Sequence, residues 1–162
     1  MKTFFSILLV IVISTLLTAQ PQKGKVGVSA EIQTQQMDFL LPIFVNDWVS
    51  LSPAIGVANI SDKYTDLSLG LLMRYHLFTE SVTPFIGARF GTLLFIPEEG
   101  DMISDLLLGP SLGGEYYFSE NFSVGIELQL NVVVSGEKSM RFSNPNGTNI
   151  NSATAIFATI YF

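Results

Sequence analysis

The chain has 162 residues, and its formal net charge of −6 argues against nucleic-acid binding, which depends on basic patches. Cysteine is absent, so disulfide bonds and thiol-based metal or redox sites are excluded. Beyond residue 17, no apolar run approaches the roughly 20 residues that a membrane-spanning helix needs, which also excludes a helical membrane protein.

Residues 1–19 have the pattern of a secretory signal peptide. Lys2 provides a basic start, residues 4–17 form a nearly continuous apolar run, and Leu17-Thr18-Ala19 offers a small-residue exit. This pattern predicts export and cleavage after Ala19, with an uncleaved N-terminal helix as the alternative. The mature chain, residues 20–162, has the size of a single domain.

The first half of the mature chain predicts four strands. The strand at 37–45 (MDFLLPIFV) is apolar throughout, and we expect Pro42 to lie at a bulge because proline cannot donate to a strand ladder. In the others, apolar and polar residues alternate, which is the strand period of two. The four predicted strands are 25–33, 37–45, 48–58 and 66–78, joined by a short tip at 34–36, a turn at 46–47 and a loop at 59–65.

The second half predicts four further strands, of which the hairpin at 106–134 is the most regular. From Phe122 to Val132 one face is purely apolar and the other purely polar over about eleven residues. Soluble strands usually run about five or six residues, whereas bilayer-crossing strands need roughly nine to eleven. The predicted strands are 84–95, 106–118, 122–134 and 152–162, joined by 79–83, 96–105, 119–121 and 135–151.

Eight strands bring both termini to the same end, as single-chain transmembrane barrels require. The predicted fold class is therefore all-β: an eight-stranded antiparallel up-and-down transmembrane β-barrel after a cleaved signal peptide. The shorter connections lie on the side of the termini, which we predict to be periplasmic, and the longer ones face outward. Many aromatic residues fall near the predicted periplasmic ends, as expected of an interfacial girdle: Trp48, Tyr75, Phe78, Phe85, Tyr116, Phe118, Phe122 and Phe162.

The C-terminal residues and the hairpin support a family resemblance. Phe162 is preceded at alternate positions by Ile160, Ala158 and Ile156, which resembles the terminal aromatic signal read by the barrel-assembly machinery. With its GEYYFSENFSVGIELQLN hairpin and ATIYF ending, the mature chain is similar to the small outer-membrane β-barrel proteins of OmpA/OmpX type. The resemblance implies a Gram-negative outer-membrane location, with outer-membrane lipid and the assembly machinery as partners. It implies no activity, because members of this family differ in function.

Five charged residues share the face that would point into the barrel. An eight-stranded barrel has an interior just wide enough for side chains to fill, and unpaired buried charges are costly. Two arginines among three carboxylates predict a charge-balanced structural plug, with a gated or conducting pore as the alternative. Glycines at 70, 87, 91, 109, 113 and 125 leave room beside these side chains. The predicted plug residues are Glu31, Arg74, Arg89, Glu115 and Glu127.

The sequence predicts no catalytic, cofactor-binding or metal site. His76 is the only histidine, and no HxH or HExxH spacing surrounds it. An arrangement with the inward serines 68, 111 and 123 is conceivable but has no sequence signature. The acidic residues Glu98, Glu99, Asp101 and Asp105 fit a solvated loop better than a cation site.

Three functions are consistent with these patterns. The first is a plugged outer-membrane barrel with a structural or surface-interaction role, whose loops 96–105 and 135–151 contact an unknown ligand. The second is a lipid-modifying outer-membrane enzyme. The third is a secreted lipocalin-like barrel that binds a small molecule on an apolar inner face, because alternation alone cannot distinguish inside from outside. Strand length, the one-sided aromatic residues and the terminal Phe162 favour the first, and we predict no enzymatic activity.

Overall fold

The computed structural model describes residues 23–34, 36–61, 63–78 and 81–162, and the signal peptide predicted at 1–19 lies outside them. Within these ranges no helix is long and apolar enough to cross a membrane. The described residues form the β-segments β1 (Gly27–Ile32), β2 (Met37–Leu40), β3 (Ile43–Phe44), β4 (Val49–Ile60), β5 (Tyr64–His76), β6 (Val82–Pro97), β7 (Ile103–Ser119), β8 (Phe122–Val134) and β9 (Thr148–Tyr161).

Hydrogen bonding joins these segments into one closed sheet. Its order is β2-β1-β9-β8-β7-β6-β5-β4-β3, and β2 also pairs with β4, which completes the ring. Because β2 and β3 both pair with β4, they form one interrupted strand. The result is an eight-stranded antiparallel up-and-down barrel, which confirms the predicted fold class. Gly27 of β1 lies opposite Tyr161 of β9, and we call this the lower end of the barrel and the opposite end the upper end.

The interruption at Pro42 does not shift the strand register. Leu40 lies opposite Ala54 and Ile43 lies opposite Leu51, so the pairing with β4 continues on both sides of the proline without an extra residue. Proline removes one donor from the ladder but inserts nothing into it. The predicted bulge at Pro42 is therefore wrong.

The two faces of the barrel differ sharply in polarity. Alternation along each strand sends polar side chains inward, where Ser29, Ser50, Ser52, Ser68, Ser111 and Ser123 are buried together with the charged residues described below. The outer face is a continuous apolar belt, which includes Ile32, Phe39, Ile55, Leu69, Leu71, Met73, Ile86, Phe90, Leu108, Leu112, Ile126, Leu128, Leu130 and Ile156.

Five strands extend further toward the upper end than the sequence pattern predicts: β4 ends at Ile60 and β5 begins at Tyr64, and β6, β7 and β9 are also longer. The loops predicted at 96–105 and 135–151 shorten to 98–102 and 135–147, because polar residues such as Asn149 continue the ladder above the apolar belt. The composition of these polar strand ends resembles that of a loop, so the sequence pattern alone places the ends of the strands too low. The new bounds are Pro97 at the end of β6, Ile103 at the start of β7 and Thr148 at the start of β9.

Aromatic residues at the lower end form both an outer and an inner set. The side chains of Trp48, Tyr75, Phe78, Phe118 and Phe122 are exposed on the outside, as the predicted girdle requires. Phe85 is not part of it, because its side chain points inward and is 1% exposed. The ring occupies space beside Gly113, where even a Cβ would lie 2.5 Å from it. An inner aromatic layer thus closes the lower interior, formed by Phe44, His76, Phe85, Tyr117, Phe157 and Tyr161.

Candidate functional sites inside the barrel

Arg74 lies at the centre of the barrel interior and binds two carboxylates there. Its Nε donates to Glu127 Oε2 at 2.9 Å, its Nη2 donates to the same oxygen, and Nη2 also reaches Glu31 Oε2 at 3.2 Å. Both glutamates have 0% exposure. The guanidinium lies over the ring of Phe157, with its carbon 4.2 Å from the ring centre, so one arginine connects the charged layer to the inner aromatic layer.

A second arginine extends this layer upward. Arg89 Nη2 lies 3.1 Å from Asp38 Oδ2, and its Nη1 lies 3.7 Å from Glu31 Oε1. Arg89 also donates to Gln129, whose Nε2 donates in turn to Glu31 Oε1 at 2.7 Å. Glu31 thereby receives contacts from both arginines. We call the group of Glu31, Asp38, Arg74, Arg89, Glu127 and Gln129 the interior network.

Asp38 is the most heavily bonded carboxylate of the interior network. Besides Arg89, it accepts hydrogen bonds from Gln33 Nε2 at 3.2 Å, from Gln36 and from Ser68 Oγ at 3.2 Å. Four donors on one carboxylate satisfy most of its lone pairs, which is the condition under which a buried charge is tolerated.

Glu115 is buried but lies outside the interior network. Its Oε1 accepts a hydrogen bond from Tyr161 Oη at 2.8 Å and another from Ser123 Oγ. It therefore belongs to the inner aromatic layer at the lower end, where hydroxyl groups hold its carboxyl group and no arginine or lysine of the described residues forms a salt bridge with it.

The side chains of His76 and Ser50 contact each other inside the barrel. The distance between His76 Nε2 and Ser50 Oγ is 3.2 Å, and the imidazole packs against Phe44 with ring centres 5.0 Å apart. Both side chains are buried, so this serine and histidine lie against each other without access for a substrate. In the part of the chain that the structure describes, no group of His, Asp or Glu residues has the arrangement of a metal site.

The upper interior contains an open cavity of about 1020 Å³. Arg89 lies among its lining residues and connects it to the interior network. One part of the wall is apolar and formed by Leu93, Leu107, Val133 and Phe142, which pack together. The remaining wall is rich in amide side chains: Gln33, Gln36, Asn59, Asn131, Asn149 and Asn151.

The loop 135–147 is anchored to the barrel wall beside this cavity. Asp105, which is 2% exposed, accepts hydrogen bonds from the backbone N–H of Gly136 at 3.0 Å, from Ser139 Oγ at 2.9 Å and from Arg141 Nε at 3.2 Å. Arg141 also donates to Asp66 at 2.5 Å. Burial alone would lower the pKa of Arg141, but hydrogen bonds and charge from Asp66 and Asp105 outweigh it and raise that pKa.

The interpretation of Asp105 as a solvated loop residue is therefore wrong. It lies within β7, and its side chain points inward to hold the loop. The other three acidic residues of that group, Glu98, Glu99 and Asp101, are exposed.

Two solved structures resemble this chain. The N-terminal β-barrel domain of OprF from Pseudomonas aeruginosa shares 17% sequence identity and a TM-score of 0.61, over 86% of this chain and 98% of that one. Neisserial surface protein A shares 14% identity and a TM-score of 0.58, over 85% of this chain and 94% of that one. No protein-family model and no curated protein matches the chain.

The chain has the small outer-membrane barrel fold of OmpA/OmpX type. Its likeness to both structures spans nearly the whole barrel, and at these identities it concerns the fold alone. Within this small-barrel fold, the five residues singled out by sequence are all buried in the interior. Four of them meet in the interior network, and Glu115 lies below it.

Sequence reasoning missed two members of the interior network. Asp38 is the one charged residue in the apolar stretch MDFLLPIFV, and its alternation with Leu40 and Phe44, both buried, is the signal that could have found it. Gln129 shares the inward face of β8 with Glu127. The sequence pattern correctly predicted that Gln129 faces inward, but only charged residues were assigned to the cluster and amides were left out.

Proposed function

We propose that the chain is an integral β-barrel of the Gram-negative outer membrane, with a closed interior and a structural or surface-interaction role. The observation that carries the proposal is the polarity of the two faces: the outer side is a continuous apolar belt, while charged groups fill the inside. Lipid can solvate such an outer face, and water cannot do so without a large cost. The exposed rings at the lower end add an interfacial girdle.

The interior network and the inner aromatic layer support a closed barrel. Arg74, Glu31 and Glu127 are nearly inaccessible to solvent, and the rings of Phe85 and Phe157 lie directly against Arg74. The charged side chains of the interior network pair with one another, and the inner aromatic layer packs directly below them. This arrangement favours a plug over a conducting pore.

The same polarity argues against a lipocalin-like barrel. A lipocalin needs an apolar interior around its ligand and a polar outer face, whereas here arginine and carboxyl side chains occupy the middle of the barrel. A lipid-modifying enzyme is disfavoured by the position of Ser50 and His76, which lie buried inside the barrel at its lower end. We therefore propose a non-enzymatic role.

The contacts with other molecules are proposed from the same features. Outer-membrane lipid would cover the apolar belt, and the assembly machinery would insert the barrel. The upper loops 98–102 and 135–147 would form the surface available to an external partner. The anchored state of loop 135–147, held through Asp105, supports a surface with a defined shape.

Planar bilayer recordings test the closed interior. The purified barrel, inserted into a bilayer and verified by its gel mobility, should give no steady conductance steps. The double variant Arg74→Ala/Arg89→Ala, which removes both cations of the plug, should show ion-conducting events more often. Stable open channels from the unmodified protein would contradict the proposed plug.

A further inference from the structure

The cavity in the upper interior has the size of a ligand site. Its volume of about 1020 Å³ lies at the upper end of the range of roughly 300–1,000 Å³ typical of small-molecule pockets. Its wall has two chemically distinct parts. The aliphatic residues and Phe142 belong to β6, β7, β8 and loop 135–147, whereas the amides are found mainly on β8, β9 and the tip between β1 and β2.

Three residues that line the cavity carry buried polar atoms without a hydrogen-bond partner. These atoms are Asn131 Oδ1, Arg89 Nε and Arg141 Nη2. Asn131 is 9% exposed, and its Nδ2 makes one long hydrogen bond of 3.5 Å to Asn151 Oδ1. Leaving buried donors and acceptors unpaired is unfavourable. These three atoms have almost no accessible surface, so a ligand that both donates and accepts hydrogen bonds would pair with them after a shift of the side chains that line the cavity.

The charges around the cavity disfavour an anion. Arg89 contacts the carboxylates of Asp38 and Glu31, and Arg141 contacts those of Asp66 and Asp105. Each guanidinium is thus matched by two carboxylates, so the site offers no surplus positive charge. A cation is disfavoured as well, because Asp38 already accepts four hydrogen bonds and Asp105 three, so a cation would have to displace these donors. A neutral ligand competes with neither set of contacts.

We infer that this cavity binds a small neutral saccharide. Each sugar hydroxyl both donates and accepts a hydrogen bond, as does each side-chain amide, so the amide wall can pair with successive hydroxyls. The C–H face of a sugar ring can pack against Phe142, which is only partly buried and packs against the buried Leu93 and Val133. This combination of one polar and one apolar wall matches a ring that has polar edges and apolar faces.

Calorimetric titration tests the inference on the full barrel, folded in a zwitterionic detergent that has no sugar headgroup. The probes are glucose, N-acetylglucosamine and maltose, with glucose 6-phosphate as the charged analogue and N-acetylalaninamide, whose ends are both blocked, as a neutral amide. At least one saccharide should bind in the range below about 10 mM, and more tightly than the two comparison probes. Binding of none of the three saccharides, or tighter binding of either comparison probe, would overturn the inference.

Variants locate the binding in the cavity. Asn131→Leu and Asn151→Ala should each weaken saccharide binding by about tenfold or more, because a lost pairing in a buried polar site is costly. Asn144→Ala is the matched control, since Asn144 is exposed on loop 135–147 and does not line the cavity. Gel mobility with and without boiling verifies that each variant is folded. If folded cavity variants bind like the control, the saccharide binds elsewhere and the inference fails.

Discussion

Individual residues of the interior network differ in the number of hydrogen bonds they receive. In the described part of the chain, Glu127 has hydrogen bonds only from Arg74, and its Oε1 has no partner. Asp38, by contrast, is bonded by three uncharged side chains in addition to Arg89. Loss of Arg74 should therefore lower the free energy of unfolding more than loss of Arg89, although both arginines are buried.

Substitution by methionine separates these two cases, because it keeps an unbranched side chain about as long as the aliphatic part of arginine and removes the guanidinium. Arg74→Met should lower the free energy of unfolding by about 3–5 kcal/mol, because it leaves Glu127 as an uncompensated buried charge. Arg89→Met should cost about 1–3 kcal/mol, since Asp38 keeps its other donors. Urea unfolding in lipid vesicles measures both values.

The matched control for these substitutions is Lys63→Ala, which removes an exposed cation near the upper end and should change the free energy of unfolding by less than about 0.5 kcal/mol. Equal stability of Arg74→Met and the unmodified protein would show that the interior charges are not a packed network.

At the level of single strands, the apolar belt should be sensitive to charge in proportion to depth. Leu128 lies in the middle of β8, and Ile60 is exposed at the upper end of β4. Leu128→Arg should destabilise the barrel in lipid by about 2–4 kcal/mol, whereas Ile60→Arg should cost about 0–1 kcal/mol. Vesicle-based unfolding measurements compare the two variants, and equal costs would mean that the belt does not lie in lipid.

A small number of contacts anchors loop 135–147. Removing these contacts therefore tests whether they keep the loop ordered. Asp105→Ala removes three of them and Arg141→Ala removes the contacts to Asp66 and Asp105. Hydrogen exchange followed by mass spectrometry should show faster exchange in this loop for both variants, with the larger effect for Asp105→Ala.

Exchange in the lower part of β4, around Val49, should stay unchanged in these variants, because these residues lie at the end of the barrel opposite to loop 135–147. Lys138→Ala serves as the control, since its ion pair with Asp101 is exposed and contributes little. If it accelerated exchange as much as Asp105→Ala, the anchor described here would be incorrect.

The strands and their inward faces could be predicted from sequence because alternation is a local property. Period two alone placed Arg74, Arg89 and Glu127 on inward faces, and turn composition located most strand boundaries. It could not pair Arg74 with Glu127, which are 53 residues apart and meet only because the sheet closes. Phe85 has the same inward phase as Arg89, but it was predicted to join the girdle because an aromatic ring suits a membrane interface as well as a packed interior.

For the whole molecule, closure of the sheet explains both the fold and the polarity. Because β2 pairs with β4, the barrel has no open sheet edge among the described strands, and its backbone hydrogen bonds are satisfied internally. A chain closed in this way can expose an apolar outer face to lipid while charged groups compensate one another inside. In the orientation proposed above, the upper cavity and the anchored loop would be the parts of the molecule in contact with the exterior.

We propose that this barrel is embedded in the outer membrane through its apolar belt. The most direct measurement is to express the chain with its N-terminal segment in a Gram-negative bacterium, separate the membranes, and compare gel mobility with and without boiling. We predict recovery in the outer-membrane fraction and a folded band that shifts on boiling. Recovery as a soluble periplasmic or secreted protein would contradict the account, because the apolar belt would then have to face water.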